Sequence, residues 1–344
     1  MTGLERALAS IRGEKTDCRA TFLHNFQMGA QRSGMDFGRY YLDGEKTAEV
    51  VLAMQKEFGN DVILQENGTA ALAEALGASV VYRRDQPPVD NQVLLEKIED
   101  VGRLPEKIDF YQKPATSASL KATAILADRL GDAALLMGRG DQGPFSLAGL
   151  LLGMDNLMME LAAGESEKEL HQLLEYCADV SAAYCIAQIR AGAQATSMGE
   201  SPAGPDMISP AMYRKYALPY EKKVIQKVHQ AGGLISLHIC GNADAILADM
   251  AQTGADMLEI DQKSSLRLAR EVQQKYPVCI LGNISPERLR NGTSAEIREL
   301  TGAALDIFQG EPRYILGPGC AMASDTPEAN VTAMLDAARM GKFE

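Results

Sequence analysis

The length, composition and charge of the chain describe an acidic globular protein. Its 344 residues carry a formal net charge of −12 at pH 7, 46% of them are hydrophobic and 23% are charged. The basic residues are scattered, which argues against nucleic acid and anionic membrane surfaces as partners. No apolar run approaches the roughly 20 residues of a membrane-spanning helix, and the first residues lack a secretory pattern. We therefore expect a cytoplasmic protein.

Eight short apolar runs, separated by helical patterns, follow a helical lead-in over residues 1–19. We predict a β-strand at each of these runs: 21–26, 61–66, 133–137, 194–198, 234–240, 256–260, 278–281 and 314–316. Between the second and third runs the pattern is less regular, with helices predicted near 92–101 and 117–130 and a proline-containing loop over 85–88.

This alternation of strands and helices predicts the fold. It indicates parallel strands buried on both faces, and the closed form of such a sheet is a (β/α)₈ TIM barrel. An open doubly wound sheet is the alternative. We expect one barrel domain over residues 1–344.

Three helix starts support the scheme and indicate where function lies. Ser209-Pro210, Ser285-Pro286 and Thr326-Pro327 each place a capping hydroxyl before a proline at the first helical position, after a predicted strand. In a barrel such loops form the C-terminal face, which carries the active site of these folds. Functional residues are therefore expected just after each strand.

Polar and sulfur-bearing side chains occupy those positions: His24, Gln27, Glu66, Asn67, Glu200, His238, Cys240, Asp261, Asn283 and Cys320. His238 and Cys240 lie two residues apart at the end of one strand, so both side chains project to the same side. Barrel closure brings Cys320, after the last strand, towards them. Three protein ligands with one open position are typical of a catalytic zinc. The alternative is a buried cysteine beside a hydrogen-bonded histidine.

The other four cysteines, Cys18, Cys177, Cys185 and Cys279, are too widely spread for a disulfide framework and are interpreted as structural residues.

The charge of a His-Cys-Cys site narrows its chemistry. Zn²⁺ with two thiolates and a neutral imidazole carries no net charge, so it activates water less well than a three-histidine site. A thiol in the open position would lose its proton and remain nucleophilic, which favours alkyl transfer to sulfur.

The remaining strand-end residues have several interpretations. Glu66, Glu200 and Asp261 are predicted catalytic residues: each is a candidate fourth zinc ligand, partner of His238 or base, and the alternative is a loop carboxylate or helix cap. His24, Gln27 and Asn283 are predicted to contact the cofactor.

Two other motifs are set aside. Residues 138–143, Gly-Arg-Gly-Asp-Gln-Gly, match the dinucleotide fingerprint, but the acidic residue expected about twenty residues later at a second strand end is missing. We interpret the motif as a tight turn before a helix that starts at Pro144. The chain also lacks the signature that accompanies His-Cys-Cys zinc in deaminases.

Several segments, in order along nearly the whole chain, resemble the uroporphyrinogen decarboxylase superfamily: Glu74-Ala75-Leu76-Gly77-Ala78, Gly143-Pro144-Phe145-Ser146-Leu147-Ala148, Ile208-Ser209-Pro210 with Pro219-Tyr220, His238-Ile239-Cys240-Gly241 and Gly282-Asn283-Ile284. The resemblance implies a (β/α)₈ barrel.

Two branches of that superfamily compete. The decarboxylases carry an N-terminal RQAGR motif, a catalytic Asp after the second strand and a late G-H-G. Here the first region, residues 24–31, has no arginine, the Asp position reads Gly68 and the last reads Gly317-Pro318-Gly319. The methylcobamide:thiol methyltransferases, including the coenzyme M enzymes, carry a His-x-Cys and a later Cys that bind zinc. His238, Cys240 and Cys320 match that motif.

The resemblance therefore implies a zinc-dependent methyltransferase that works with a methylated corrinoid and a small thiol such as coenzyme M. A decarboxylase of the same fold, acting on a tetrapyrrole, and a barrel that binds such a ligand without turnover are the alternatives. The chain has no corrinoid-binding D-x-H-x-x-G segment. The corrinoid must therefore arrive on a partner corrinoid protein or as a free cobamide.

Overall fold

Eight parallel strands, hydrogen-bonded in chain order, form the central sheet of the computed structural model, which describes residues 1–84 and 88–340. The strands of this sheet are β1 (Phe22–Leu23), β2 (Val62–Gln65), β5 (Leu135–Gln142), β6 (Ala195–Gly199), β7 (Leu234–Ile239), β8 (Met257–Ile260), β9 (Cys279–Ile284) and β10 (Tyr314–Pro318). A bridge between Thr21 and Leu316, with the Leu316 N–H donating to the Ala20 carbonyl at 2.9 Å, joins the two outer strands. The predicted TIM barrel is confirmed, and each predicted strand overlaps one of these eight.

Helices surround the barrel: α1 (Gly3–Arg12), α2 (Phe26–Arg32), α3 (Phe37–Leu42), α4 (Gly44–Phe58), α5 (Ala71–Leu76), α6 (Pro114–Leu130), α7 (Pro144–Leu152), α8 (Met154–Ala163), α9 (Glu167–Arg190), α10 (Pro210–Tyr216), α11 (Leu218–Gln230), α12 (Leu247–Ala251), α13 (Leu266–Gln273), α14 (Pro286–Asn291), α15 (Ser294–Ile307) and α16 (Glu328–Met340). Three short 3₁₀ helices, Ile98–Arg103, Phe110–Gln112 and Ser201–Ala203, complete the set within the described ranges. Of those described helices none is by itself long and apolar enough to cross a membrane. Only α7 and α8 together pass on length and composition, and they are bent by 106°.

The predicted caps are present at two of the three helix starts. The hydroxyls of Ser209 and Ser285 accept from the N–H groups of Met212 and Arg288, in the first turns of α10 and α14. Thr326 behaves differently, because its hydroxyl donates to the Ala323 carbonyl at 2.8 Å.

The region between β2 and β5 departs from the sequence-based expectation. A hairpin of β3 (Ser79–Val81) and β4 (Val89–Gln92) was not predicted. The α-helix predicted near 92–101 is absent: β4 ends at Gln92, residues 93–97 form a loop and the first 3₁₀ helix begins at Ile98. The N–H groups of Leu94 and Leu95 both donate to the Leu151 carbonyl, which holds this stretch in a loop against α7. The loop predicted over 85–88 falls largely on residues 85–87, outside the described residues.

The tight turn predicted at the glycine-rich stretch 138–143 is wrong. β5 continues through it to Gln142, which pairs with Gly199 of β6. The glycines are explained by close packing of α9: a Cβ at Gly138 would lie 2.4 Å from Gln188 Oε1, and one at Gly140 would lie 2.4 Å from Cys185 Sγ. The helix does start at Pro144, as predicted.

The barrel interior changes character along its axis. Its lower part is an apolar cluster that includes Phe22, Leu64, Met137 and Met257, packed against Ala7 and Ile11 of α1. Two residues further along the same four strands, on the same face, stand His24, Glu66, Arg139 and Glu259, all buried. An apolar floor therefore supports a layer of charged side chains near the C-terminal mouth.

Candidate metal centre

The three predicted metal ligands meet at the C-terminal mouth. His238 lies in β7, Cys240 follows that strand and Cys320 follows β10. His238 Nε2 is 3.0 Å from Cys240 Sγ and 3.9 Å from Cys320 Sγ, and the two sulfurs are 3.7 Å apart. Ligand atoms of one tetrahedral zinc stand about 3.5–3.8 Å apart, given zinc bonds of roughly 2.0–2.3 Å. The sulfur–sulfur distance lies in that range and the distance from Nε2 to Cys320 Sγ is just above it, whereas Nε2 and Cys240 Sγ stand closer, at hydrogen-bonding distance. With a small separation of that pair the soft donor set fits zinc, which stays a prediction.

A backbone contact orients the imidazole of His238. β7 pairs with β8 so that His238 is opposite Glu259, and His238 Nδ1 lies 2.9 Å from the Glu259 carbonyl oxygen. A carbonyl can only accept, so Nδ1 carries the proton and donates it. Nε2 then faces the two sulfurs, and once it is deprotonated it offers a lone pair there, as a metal-binding histidine must.

The three predicted ligands differ in their protonation states. Hydrogen bonds from Cys320 and His238 lower the pKa of Cys240 to about 3, against the opposing effect of burial. The hydrogen bond to Cys240 and burial raise the pKa of Cys320. Burial works against the charged form of His238, but Glu259 and Cys240 raise its pKa to about 9. The cluster therefore holds one thiolate beside an imidazolium, and a divalent cation would allow the second thiol to ionise.

Four buried charged side chains form the layer below the ligands. His24 Nδ1 is 3.4 Å from Glu259 Oε1, His24 Nε2 is 3.0 Å from Glu66 Oε2, and Glu66 Oε1 is 3.7 Å from Arg139 Nε. Arg139 also donates to the Ser197 hydroxyl at 3.0 Å. We call these four residues the charged layer.

The charges of this layer balance. Burial alone would raise the pKa of both carboxyls, but Arg139 and His24 lower that of Glu66, and His238, His24 and Arg139 lower that of Glu259 to about 2. The two carboxylates in turn raise the pKa of His24 against the effect of burial. Two anions and two cations thus stabilise each other in a buried site.

The predicted catalytic carboxylates occupy three different environments. Glu66 belongs to the charged layer. Glu200 is fully buried at the first turn of α7, where it accepts from the N–H groups of Phe145 and Ser146 and from the Ser146 hydroxyl, at 2.7–2.9 Å. Asp261 Oδ1 accepts from the Lys263 N–H at 2.8 Å in the loop after β8. Of the three, Glu66 and Asp261 lie at the mouth, while Glu200 holds a helix end. Their catalytic roles stay predictions.

The predicted cofactor contacts are also dispersed. His24 lies in the charged layer, and Gln27 is half-buried in the first turn of α2. Asn283, at the end of β9, donates from Nδ2 to the carbonyls of Asp261 and Ser264, at 3.0 and 2.9 Å. It therefore ties the β8 loop to β9, and contact with a cofactor remains a prediction for all three.

Sequence reasoning missed Arg139 and Glu259. Glu259 is the single charged residue of the short apolar strand β8, and Arg139 follows directly on the apolar first half of β5; this is the signal that could have found them. A charged residue is almost never buried without a partner, so one inside a barrel strand indicates an interior polar site.

The chain is similar in sequence to named enzymes over most of its length. The family model "Uroporphyrinogen decarboxylase (URO-D)" matches residues 2–340. The methylcobamide:CoM methyltransferase MtbA of Methanosarcina acetivorans is 30% identical over 318 residues, 91% of this chain and 89% of that protein. The uroporphyrinogen decarboxylase of Syntrophotalea carbinolica is 26% identical, over 85% of this chain and 83% of that protein.

A solved structure shares the fold over almost its full length. The structure of a methyltransferase from Methanosarcina mazei superposes with a TM-score of 0.89, covers 99% of each chain and is 24% identical in sequence. The eight-stranded barrel and its surrounding helices are therefore similar in both proteins.

Proposed function

The chain belongs to the uroporphyrinogen decarboxylase family, and from that premise we propose that it is a zinc-dependent methyltransferase. It moves a methyl group between a methylated corrinoid and a thiol. The observation that carries the proposal is the convergence of His238, Cys240 and Cys320 within 4.8 Å of one another at the barrel mouth. The relatedness to a methylcobamide:CoM methyltransferase at 30% identity supports the same reaction class.

The residues of the chain account for thiol chemistry. His238, Cys240 and Cys320 would hold the zinc, which, when bound, lowers the pKa of a thiol in its open position while the two cysteine sulfurs keep the complex electron-rich. The Glu259 carbonyl fixes the His238 ring, and the apolar floor keeps water from entering from below. In the direction of thiol methylation, the thiolate sulfur bonds to the methyl carbon while the carbon–cobalt bond breaks and leaves its electron pair on cobalt.

The corrinoid is a substrate supplied from outside the chain. Because the sequence has no D-x-H-x-x-G segment, we infer that a partner corrinoid protein or a free cobamide presents it at the mouth. Coenzyme M is one candidate thiol, since it is named for the related enzymes. The cytoplasm is the proposed location, because thiolate ligands persist in a reducing compartment.

The decarboxylase alternative lacks support at the residues that would carry it. The position of its catalytic Asp is Gly68, whose backbone has a φ of +86°, and a Cβ there would be 3.5 Å from the ring of Tyr41. Formation of coproporphyrinogen from uroporphyrinogen by the purified protein would nevertheless favour this alternative over methyl transfer.

The metal and the activity can be tested together with one cysteine variant. Wild-type protein purified under reducing conditions is expected to hold about one zinc per chain and to methylate a thiol from methylcobalamin. Cys320→Ala should lose most of the zinc, and roughly a hundredfold or more of kcat/KM, because two ligands do not hold the ion. Metal content is measured by atomic emission, and the half-buried Cys18→Ala is the matched control. Zinc-free wild-type protein, or full activity of Cys240→Ser, would contradict the proposal.

A further inference from the structure

Polar atoms without partners gather beside the charged layer. Within residues 1–84 and 88–340, Tyr41 Oη, Asn67 Oδ1, Arg139 Nε and Asp141 Oδ1 are buried and have no hydrogen-bond partner. Buried polar groups in native proteins are almost always paired with protein, water or ligand. We call these four residues the polar wedge. Such a cluster at the mouth of a barrel indicates a place that a polar ligand fills.

Strand register and shared neighbours place the four members in one region. β2 pairs with β5 so that Gln65 is opposite Gly138, which sets Asn67 beside the stretch of β5 that carries Arg139 and Asp141. Glu66 Oε1 accepts from the Asn67 N–H at 3.0 Å and lies 3.7 Å from Arg139 Nε. Tyr41 borders the next residue, Gly68, where a Cβ would be 3.5 Å from the Tyr41 ring. The charges of Glu66 and Arg139 also act on the pKa values of both Tyr41 and Asp141. The wedge therefore lies between the ends of β2 and β5.

Asp141 combines a left-handed backbone conformation with a buried carboxyl group. Its φ of +66° makes it the one non-glycine residue in the left-handed region among those the structure describes. Its Oδ2 accepts from the Leu72 N–H at 2.7 Å, in the first turn of α5, while burial raises the pKa of its carboxyl to about 7. Strained backbone around a buried polar group is characteristic of sites that bind ligands.

The wedge lies within reach of the metal ligands. β5 is two strands from β7, roughly 10 Å at the ~4.8 Å spacing of neighbouring strands. The Arg139 side chain extends over β6, the strand between them: a Cβ at Gly199 of β6 would be 2.6 Å from Arg139 Nη2. Gly199 in turn pairs with His238. A small thiol whose sulfur lies at the metal centre can therefore extend its other end towards the wedge.

We propose, on the basis of the thiol methyltransferase function, that the polar wedge binds the end of the thiol that is remote from its sulfur. This end is a neutral group with both a hydrogen-bond donor and an acceptor, such as a carboxamide or a hydroxyl. The oxygen of Asn67, and that of Asp141 when its carboxyl is ionised, needs a donor, whereas Arg139 Nε needs an acceptor. A carboxylate or sulfonate offers acceptors only, and the charge of Arg139 is already balanced by Glu66.

Matched thiols test the selectivity. The zinc-loaded full chain is assayed with methylcobalamin and either 3-mercaptopropionamide or 3-mercaptopropionate, which differ only in the terminal group. The binding of both thiols is measured in parallel by calorimetry without the methyl donor. We expect the amide to be favoured by about tenfold in kcat/KM and in affinity, the size of effect that follows when buried polar groups are left unpaired. The pair 2-mercaptoethanol and 2-mercaptoethanesulfonate should give the same order. The second of these is coenzyme M, so the inference implies that this chain uses coenzyme M less well than a neutral thiol of similar size.

A variant of Asp141 assigns the effect to the wedge. Asp141→Asn keeps an oxygen for the Leu72 N–H, tolerates the left-handed backbone and replaces the unpaired oxygen by an N–H donor. The preference for the amide should fall at least fivefold, roughly the effect of one hydrogen bond. The exposed Asp128→Asn, on α6, should leave it unchanged.

The outcomes separate this inference from the function on which it rests. A preference for the acid thiols, or an unchanged preference in Asp141→Asn, overturns the wedge assignment while methyl transfer stands. Failure to methylate any thiol overturns the proposed function, and the calorimetric comparison then still decides whether the wedge selects neutral groups.

Discussion

At the scale of single residues, the metal centre depends on where protons reside. Cys240 ionises readily. In the metal-free chain, however, the pKa of His238 is about 9, and the pKa of Cys320 is also raised and lies above neutrality. A ligand must offer a lone pair, so an incoming metal ion has to displace these protons. Zinc binding and proton release are therefore linked.

This linkage predicts a zinc affinity that rises with pH. Below pH about 9 His238 is an imidazolium, so each unit of pH from 6 to 9 should increase the apparent affinity by about tenfold for every proton displaced. Competition with a chromophoric chelator at each pH measures the constant, and a pH-stat measures the protons released. An affinity that is constant over this range would show that the ligands are already deprotonated.

The ligands themselves could be predicted from the sequence, whereas their supporting residues could not. His238, Cys240 and Cys320 are soft donors at strand ends, a pattern visible without coordinates. Glu259 is opposite His238 only because of the register between β7 and β8, and His24 reaches Glu259 only because the barrel closes. Such pairings depend on strand register and on barrel dimensions, which no local pattern encodes.

At the scale of elements, the start of α7 depends on one acidic side chain. Glu200, at the end of β6, satisfies two N–H groups in the first turn of α7, where the partial positive charge of the helix also favours an anion. Burial opposes this and raises the pKa of Glu200 to about 7. The contact joins the end of a strand beside the metal centre to the helix that follows β5.

We predict a structural loss when this carboxyl is removed. Glu200→Ala should lower the free energy of unfolding by about 2–4 kcal/mol, through unpaired N–H groups and a cavity. The zinc content of the folded protein should stay near that of wild type. Urea denaturation measures the stability, and the exposed Glu287→Ala is the control. If stability is unchanged and only kcat falls, the catalytic role predicted for Glu200 is supported instead.

The elements that sequence patterns misplaced share a physical cause. Leu94, Leu95, Ile98 and Val101 follow a helical spacing, yet contacts with α7 hold the first two in a loop. The glycines of 138–143 are typical of a turn, yet Gly138 pairs with strands on both edges and β5 continues to Gln142, which pairs with Gly199. In both regions tertiary contacts outweigh local preference.

At the scale of the whole molecule, the metal centre would connect distant parts of the barrel. β7 and β10 are three strands apart, and Cys240 and Cys320 follow them at the mouth. The seam between β1 and β10 is narrow, since β1 has two residues. An ion shared by the two cysteines would therefore restrain the half of the sheet that borders this seam.

Removal of zinc should accordingly destabilise the entire fold. A ligand that binds only the native state stabilises it by about 4 kcal/mol at a free concentration of 1,000 times its Kd. Calorimetric melting of zinc-loaded and chelator-treated protein should show a clearly lower midpoint without zinc, and readdition of zinc should restore it. Identical melting curves would mean that the three ligands do not bind zinc in the native state.

The apolar floor of the barrel has a kinetic consequence. Because α1 packs against the apolar lower interior and closes one end of the barrel, we infer that substrates reach the metal ligands through the mouth. A corrinoid is far larger than a small thiol, so once it covers the mouth nothing else can enter or leave. Under the proposed function, catalysis must follow a compulsory order: in thiol methylation the thiol binds before the corrinoid, and the methylated product departs only after the corrinoid has dissociated.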